Sequence, residues 1–297
     1  MEYILTTTNL TKTYGKKAAA KDVNIHIRRG DIYGLIGRNG AGKTTVMRMI
    51  SGLSKPTAGT YQMNGTSRFG VGVLIESPGI YPNMSAEENL RLKCIAMGCH
   101  SKAYIDELLS IAGLEHTAKK PAGSFSLGMR QRLGIALALV GDPKMIVLDE
   151  PINGLDPQGI AEVRGTLERL KTEKGITIMM SSHILDELSK LADAYGIIHE
   201  GRLLDEFTTD ELASRCGQFV IMKTGDNSRA EAVLRGMGLN PVATDDEEVI
   251  RIGDGLDRTE EITRTLVQNN IGVREIYIQR TSLEDYYLSV TGGEHNG

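Results

Sequence analysis

Apolar residues fall along the chain in two kinds of short run. Near the N-terminus they alternate with polar ones: Tyr3–Thr8 and Val23–Ile27, the latter interrupted by Asn24 and His26, read as half-buried strands. Further on, Ile32–Ile36, Val71–Ile75, Met145–Leu148, Ile176–Met180 and Tyr195–Ile198 are almost continuously apolar, the pattern of parallel strands covered on both faces. Between the second and third of these lie the helical stretches Ala86–Met97, Ala103–Ala112 and Leu127–Leu139. The prediction is an α/β core with an N-terminal antiparallel part and a helical insertion over about 85–140. After Leu204 the pattern changes. A short helix at Thr209–Arg215 closes the first domain. Strand Phe219–Lys223, helix Arg229–Met237, strand Pro241–Ala243, an acidic turn Asp245–Glu248, strand Val249–Ile252, helix Arg258–Gln268 and strand Val273–Gln279 follow, before a last helix Ser282–Val290. The order β-α-β-β-α-β predicts a small ferredoxin-like α+β domain. Domains are therefore expected at 1–213 and 216–297, with Gly292–Gly297 fraying.

Composition narrows the function. The 297 residues, 40% apolar and 24% charged, exclude disorder and collagen-like structure. Lys+Arg 34 against Asp+Glu 38 leaves a net charge of −4, so the chain as a whole lacks the basic footprint of a nucleic-acid binder. No apolar run approaches the roughly 20 residues of a membrane helix. The start, MEYILTTTNL, lacks the basic and apolar regions of a secretory signal. Cys94, Cys99 and Cys216 cannot all pair and lack metal-ligand spacing, which fits reduced thiols in a cytoplasmic protein.

The chemistry begins after strand Ile32–Ile36. Gly37-Arg38-Asn39-Gly40-Ala41-Gly42-Lys43-Thr44 has the spacing G-x-x-x-x-G-K-[ST], and Thr45–Ile50 reads as the helix that should follow. Such a loop wraps phosphates with inward backbone N–H groups, helped by the helix N-terminus. Lys43 should reach the β- and γ-phosphates, and the Thr44 hydroxyl should ligate Mg²⁺. Gly37 through Thr45 are thus the predicted nucleotide-binding residues. Met145–Leu148 ends in Asp149 and Glu150, at the strand edge where open α/β sheets bind ligands. Asp149 suits the metal, and Glu150 suits general-base or water-positioning work.

The segment Ser124-Phe125-Ser126-Leu127-Gly128-Met129-Arg130-Gln131-Arg132 resembles the signature motif of ATP-binding-cassette (ABC) ATPases, usually Leu-Ser-Gly-Gly-Gln. Ser126 and Gly128 keep the hydroxyl and the bare backbone that face a phosphate, whereas Phe125, Leu127 and Met129 depart. Ser126 also stands where a helix N-cap belongs. The other motifs of that family follow in order. Asn153-Gly154-Leu155-Asp156 resembles the D-loop, Ser181-Ser182-His183 the switch histidine, and Tyr14 in Thr-Lys-Thr-Tyr-Gly the aromatic that stacks on adenine. The resemblance spans roughly residues 1–213. It implies ATP hydrolysis with Mg²⁺, at sites shared between two head-to-tail subunits, each completing the other's with its signature segment. Such a pair, two identical copies or this chain with a related ATPase, would sit on the inner face of the membrane and move a permease encoded as a separate chain.

One position departs from the family. Where ABC ATPases usually carry Gln, this chain has Glu76, which accepts hydrogen bonds and can ligate Mg²⁺ but cannot donate. That negative charge near a triphosphate calls for a nearby cation. The Ile-Glu-Ser-Pro-Gly form, with Ser-Leu-Gly-Met-Arg-Gln-Arg later, resembles the ATPases of bacitracin- and lantibiotic-type peptide exporters. This implies Glu76 as a catalytic and metal-site residue and an antimicrobial peptide as cargo. An exporter of another drug, lipid or ion is the runner-up. A soluble ABC protein acting on ribosomes or DNA fits poorly with a single cassette and an acidic balance. The C-terminal domain shows no nucleophile, base and orienter set, and the Asp245–Glu248 run reads as a solvated turn. It is expected to be a packing, dimer-contact or regulatory module.

Overall fold

The N-terminal strand runs further than the six residues Tyr3–Thr8. β1 (Tyr3–Tyr14) is a twelve-residue strand that turns at Gly15 (φ 58°) into β2 (Lys17–Val23); its first half pairs on one side with β3 (His26–Arg28) and on the other with β5 (Ala58–Met63). In this computed structural model, residues 2–65, 70–99, 101–215, 218–243, 249–280 and 282–292 are described, and the chain divides into units at Thr209/Asp210.

The first unit adds a six-stranded sheet in the order β10-β9-β4-β8-β7-β6. Its members are β4 (Ile32–Ile36), β6 (Gly72–Leu74), β7 (Met145–Leu148), β8 (Thr177–Ser182), β9 (Ala194–His199) and β10 (Arg202–Thr208). All are parallel except β10, which returns antiparallel along β9. The five continuously apolar runs are the five parallel strands. Pairing of Ile36 with Ser182 and of Leu148 with Met180 brings the C-terminal ends of β4, β7 and β8 to one edge. The helix α1 (Lys43–Ile50) packs between the two sheets, its Val46, Met47, Met49 and Ile50 buried with Ile4, Leu5, Ile27, Leu35, Val147 and Met179.

The insertion contains α2 (Ala86–Met97), α3 (Lys102–Ile111) and α4 (Leu127–Leu139). Ser85 and Glu88 form a reciprocal capping box that starts α2. Arg132 on α4 binds it to its neighbours: Nη1 donates to the carbonyls of Ala112 (2.7 Å) and Gly113 (3.0 Å), and Nη2 to Glu162 Oε2 (2.8 Å) of α5 (Pro157–Lys174). The short α6 (Leu185–Ser189) follows β8.

The strands β2, β5 and β10 and the helix α5 lie outside the elements expected from the pattern. Lys17–Val23 reads Lys-Ala-Ala-Ala-Lys-Asp-Val, with no alternation, and is a strand because β1 supplies its hydrogen bonds. β8 runs to Ser182 rather than Met180, since its pairing with β4 continues through both serines.

In the second unit, α7 (Thr209–Arg215) crosses the boundary and β11 (Gln218–Thr224), α8 (Asn227–Gly236), β12 (Pro241–Ala243), β13 (Ile250–Ile252), α9 (Thr259–Gln268), β14 (Val273–Arg280) and α10 (Leu283–Thr291) follow. The sheet order β12-β13-β11-β14, antiparallel throughout, is ferredoxin-like. Val220, Met222, Ile250 and Ile252 share a core with Leu234, Ile262 and Leu266 of the two helices. Cys216, the acidic run Asp245–Glu248 and the terminal residues 293–297 lie outside the described residues. Among the described residues no helix is long and apolar enough to cross a membrane.

Candidate nucleotide site

The loop between β4 and α1 holds its shape through backbone that a side chain would obstruct. Gly42 has φ 111°, and a Cβ there would lie 2.5 Å from the carbonyl oxygen of Ala19. The chain then enters α1 with Lys43, whose side chain is buried and folds back so that Nζ donates to the Gly37 carbonyl at 2.6 Å.

The ends of β7 and β8 meet this loop. Thr44 Oγ1 donates to Asp149 Oδ2 at 2.6 Å, and Ser181 Oγ donates to Asp149 Oδ1 at 2.5 Å. The backbone N–H of Glu150 donates to Ser181 Oγ at 2.8 Å. Glu150 itself is in the left-handed region (φ 51°), and its carboxylate lies between the side chains of Lys43 and His183. Lys43 Nζ is 3.2 Å from Oε1, and His183 Nδ1 is 2.7 Å from Oε2. Thr44, Asp149, Ser181, Glu150, His183 and Lys43 thus form one continuous polar network at the sheet edge.

A cleft of about 600 Å³ opens over this network, lined by Arg38, Asn39, Gly40, Gly42, Lys43, Thr44, Thr45 and Glu150. Lys17, Ala18 and Ala19 of β2 and Glu200 and Gly201 of the β9–β10 turn complete the lining. These five residues were missed in the sequence. Their one signal is the glycine of the turn, and they reach the cleft because Gly201 N donates to Ala41 O and Lys21 N to Gly201 O. Ser181, read only as part of the histidine segment, is the buried link between Asp149 and Glu150.

Other predicted site residues sit elsewhere. Gly37 and Ala41 belong to the loop but are not part of the cleft lining. Tyr14 is half-exposed at the end of β1, paired in the ladder with Lys17, and Lys12 Nζ stands 5.2 Å from its ring centre. Glu76 (φ 66°) makes an ion pair with Arg48 of α1, one turn beyond Thr44. Ser126 caps α4 by accepting from Met129 N at 3.2 Å, and Gly128 is buried against Gly159 and Leu155. The signature segment therefore abuts the D-loop, whose Asp156 caps α5 by accepting from Gly159 N at 3.0 Å. Within one chain neither Tyr14, Glu76, Ser126 nor Gly128 lines the cleft.

A family model described as ABC transporter matches residues 20–153. The chain is 42% identical over 302 residues to the bacitracin transport ATP-binding protein of Bacillus licheniformis, an alignment covering 99% of each. To the protein of the same description from Enterococcus faecalis it is 40% identical over 99% of this chain and 98% of the relative. A lantibiotic transport ATP-binding protein of Streptococcus pyogenes is 46% identical over 203 residues, 67% of this chain and 88% of the relative. Among solved structures, a nucleotide-free ATP-binding cassette from an ABC transporter superposes with a TM-score of 0.65 at 26% identity, covering 72% of this chain and 94% of that one. A dimeric cassette in a post-hydrolysis state bound to ADP and phosphate gives 0.62 at 26% identity, with coverage of 69% and 98%.

Proposed function

Since this chain belongs to the ATP-binding subunits of ABC transporters, we propose that it hydrolyses ATP in the Lys43–Glu150 cleft to drive a separate membrane permease that exports a bacitracin-type peptide. The observation that carries the catalytic part is the network joining Lys43, Thr44, Asp149, Ser181, Glu150 and His183.

The N–H groups of Gly40 to Thr45 and the start of α1 take the triphosphate, with Lys43 at its β- and γ-groups. Thr44 and Asp149 offer hard oxygen donors of the kind Mg²⁺ prefers, and they would hold it with water and phosphate oxygens. When bound, the ion supplies charge neutralisation for the phosphoryl oxygens. Glu150 accepts the proton of the attacking water. His183 fixes that carboxylate by holding Oε2, which leaves Oε1 toward Lys43. Tyr14, beside the cleft-lining Lys17, is assigned to the adenine. Ser126 and Gly128 are assigned to the cleft of a second subunit, either another copy or a related ATPase. Their exposed neighbour Leu127 supports that role. The subunit works on the cytoplasmic face through its permease.

The cargo reading rests on coverage. The bacitracin relatives match both units of this chain, whereas the lantibiotic relative matches 67% of it. Two experiments test the proposal. Purified Glu150→Gln protein should bind ATP as the parent does and turn it over at a small residual rate; undiminished turnover would remove Glu150 from its role. Cells carrying the chain with its permease should tolerate more bacitracin than cells carrying the Glu150→Gln form. Equal sensitivity would reject the peptide cargo.

A further inference from the structure

Among the described residues, four helices end in the same way. At α2, α3, α8 and α9 a residue of positive φ, respectively Gly98, Gly113, Gly238 and Asn270, turns the chain out of the helix. In each, the next N–H returns to a carbonyl five residues back: Cys99 to Cys94, Leu114 to Leu109, Leu239 to Leu234 and Ile271 to Leu266, at 2.9–3.0 Å. The residue at the turn donates to a carbonyl three back, as in Gly98 to Ile95 at 3.1 Å. This is the Schellman arrangement, which brings the side chains at the two ends of the long hydrogen bond together.

In three of the four ends those side chains are an apolar pair. Leu109 and Leu114 are buried, and Leu234, Leu239, Leu266 and Ile271 all belong to one core. At α2 the same two positions hold thiols. Cys94 is fully buried and Cys99 partly exposed, with Cys99 Sγ 3.7 Å from the Cys94 carbonyl oxygen. Burial, then the neighbouring Cys99 thiol, pushes the Cys94 thiol up to about 11.

We infer that Cys94 and Cys99 form a reversible intramolecular disulfide, a redox modification site closing the last turn of α2. The inference is independent of the transport reading. The oxidant is a low-molecular-weight disulfide of the glutathione class. The more accessible Cys99 thiolate attacks one sulfur of that disulfide and releases its first thiolate. Cys94 gives up its proton and attacks the Cys99 sulfur of the mixed disulfide, releasing the second. Two protein thiols and one small disulfide thus become one protein disulfide and two small thiols. The cap holds the two cysteines together beforehand. Reduction is slower than for an exposed pair, because the buried high-pKa Cys94 is a poor leaving group. Disulfides in a reducing compartment are regulatory rather than structural, and this one would act on the insertion. No cleft-lining residue belongs to α2, so oxidised and reduced protein should bind ATP alike.

The test is incubation of the full chain with oxidised glutathione, alkylation of remaining thiols, trypsin digestion and mass spectrometry. Cys94 and Cys99 share the peptide Cys94–Lys102. Its expected mass is about 2 Da below the reduced peptide, without alkyl groups. Dithiothreitol should restore two alkylation sites, and Cys99→Ser should abolish the loss. Two free thiols after treatment, a glutathione adduct resting on Cys99 with Cys94 alkylated, or a link from either residue to Cys216 would each overturn the inference. Wild-type protein carries the decisive reading, so a folding defect in a variant cannot imitate the result.

Discussion

Glu150 keeps a left-handed backbone that costs a residue with a side chain about 1–3 kcal/mol, and the network around it holds it there. Its N–H is taken by Ser181, and its two carboxylate oxygens by Lys43 and His183. Gln at 150 preserves shape but cannot take a proton. The expected fall in ATP turnover is about 10²–10⁴-fold, measured by phosphate release, with nucleotide affinity retained. Glu76 makes a contrasting case. Its partner is Arg48 from α1, 28 residues earlier in the chain. The pair is largely exposed, so a double-mutant cycle with Arg48→Ala and Glu76→Gln should give a coupling of about 0.2–1 kcal/mol in urea denaturation. No coupling would leave the pair without an anchoring role.

At the scale of elements, the phosphate loop depends on one backbone conformation. Gly42→Ala places a methyl group against the Ala19 carbonyl at φ 111°. It should cost more than about 1 kcal/mol in thermal or chemical unfolding and weaken ATP binding in the same protein. On the insertion, Arg132 is the junction of α3, α4 and α5. Arg132→Ala strands two carbonyls and removes the charged partner of Glu162. A loss of about 1–3 kcal/mol is expected from the urea midpoint at unchanged slope. The insertion helices were legible because each starts at a serine cap and carries apolar residues up to a stop, as Ser85 and Gly98 bound α2. β2 was not. Its alanines and lysines favour no strand, and only the ladder with β1 makes it one.

For the whole molecule, the two units have separate cores: the first joins residues from Ile4 to Ile198 and the second residues from Val220 to Ile271. Every cleft-lining residue lies in the first. A chain ended at Thr209 should therefore still fold and bind ATP, checked by calorimetric titration against the full chain. The Streptococcus pyogenes relative, 88% of whose length aligns over 67% of this chain, is in keeping with that expectation. Sequence by itself determined the parts whose chemistry is contiguous. These are the phosphate loop from Gly37 to Thr44, the Asp149–Glu150 pair, the continuously apolar parallel strands and the order of the second domain. Each of their elements is written within about a dozen residues by local spacing, because loop, strand and cap geometry are local. Tertiary structure decided which distant residues meet. Asp149 reaches Thr44 across 105 positions and His183 reaches Glu150 across 33, because β4, β7 and β8 are neighbours in an order the chain does not follow. The same sheet order brings the β9–β10 turn to the cleft, a hydrogen bond from Lys21 N to Gly201 O brings β2 there from the other sheet, and α1 gives Glu76 its arginine. No local pattern carries such pairings, since they arise only when strands far apart in the chain find one register.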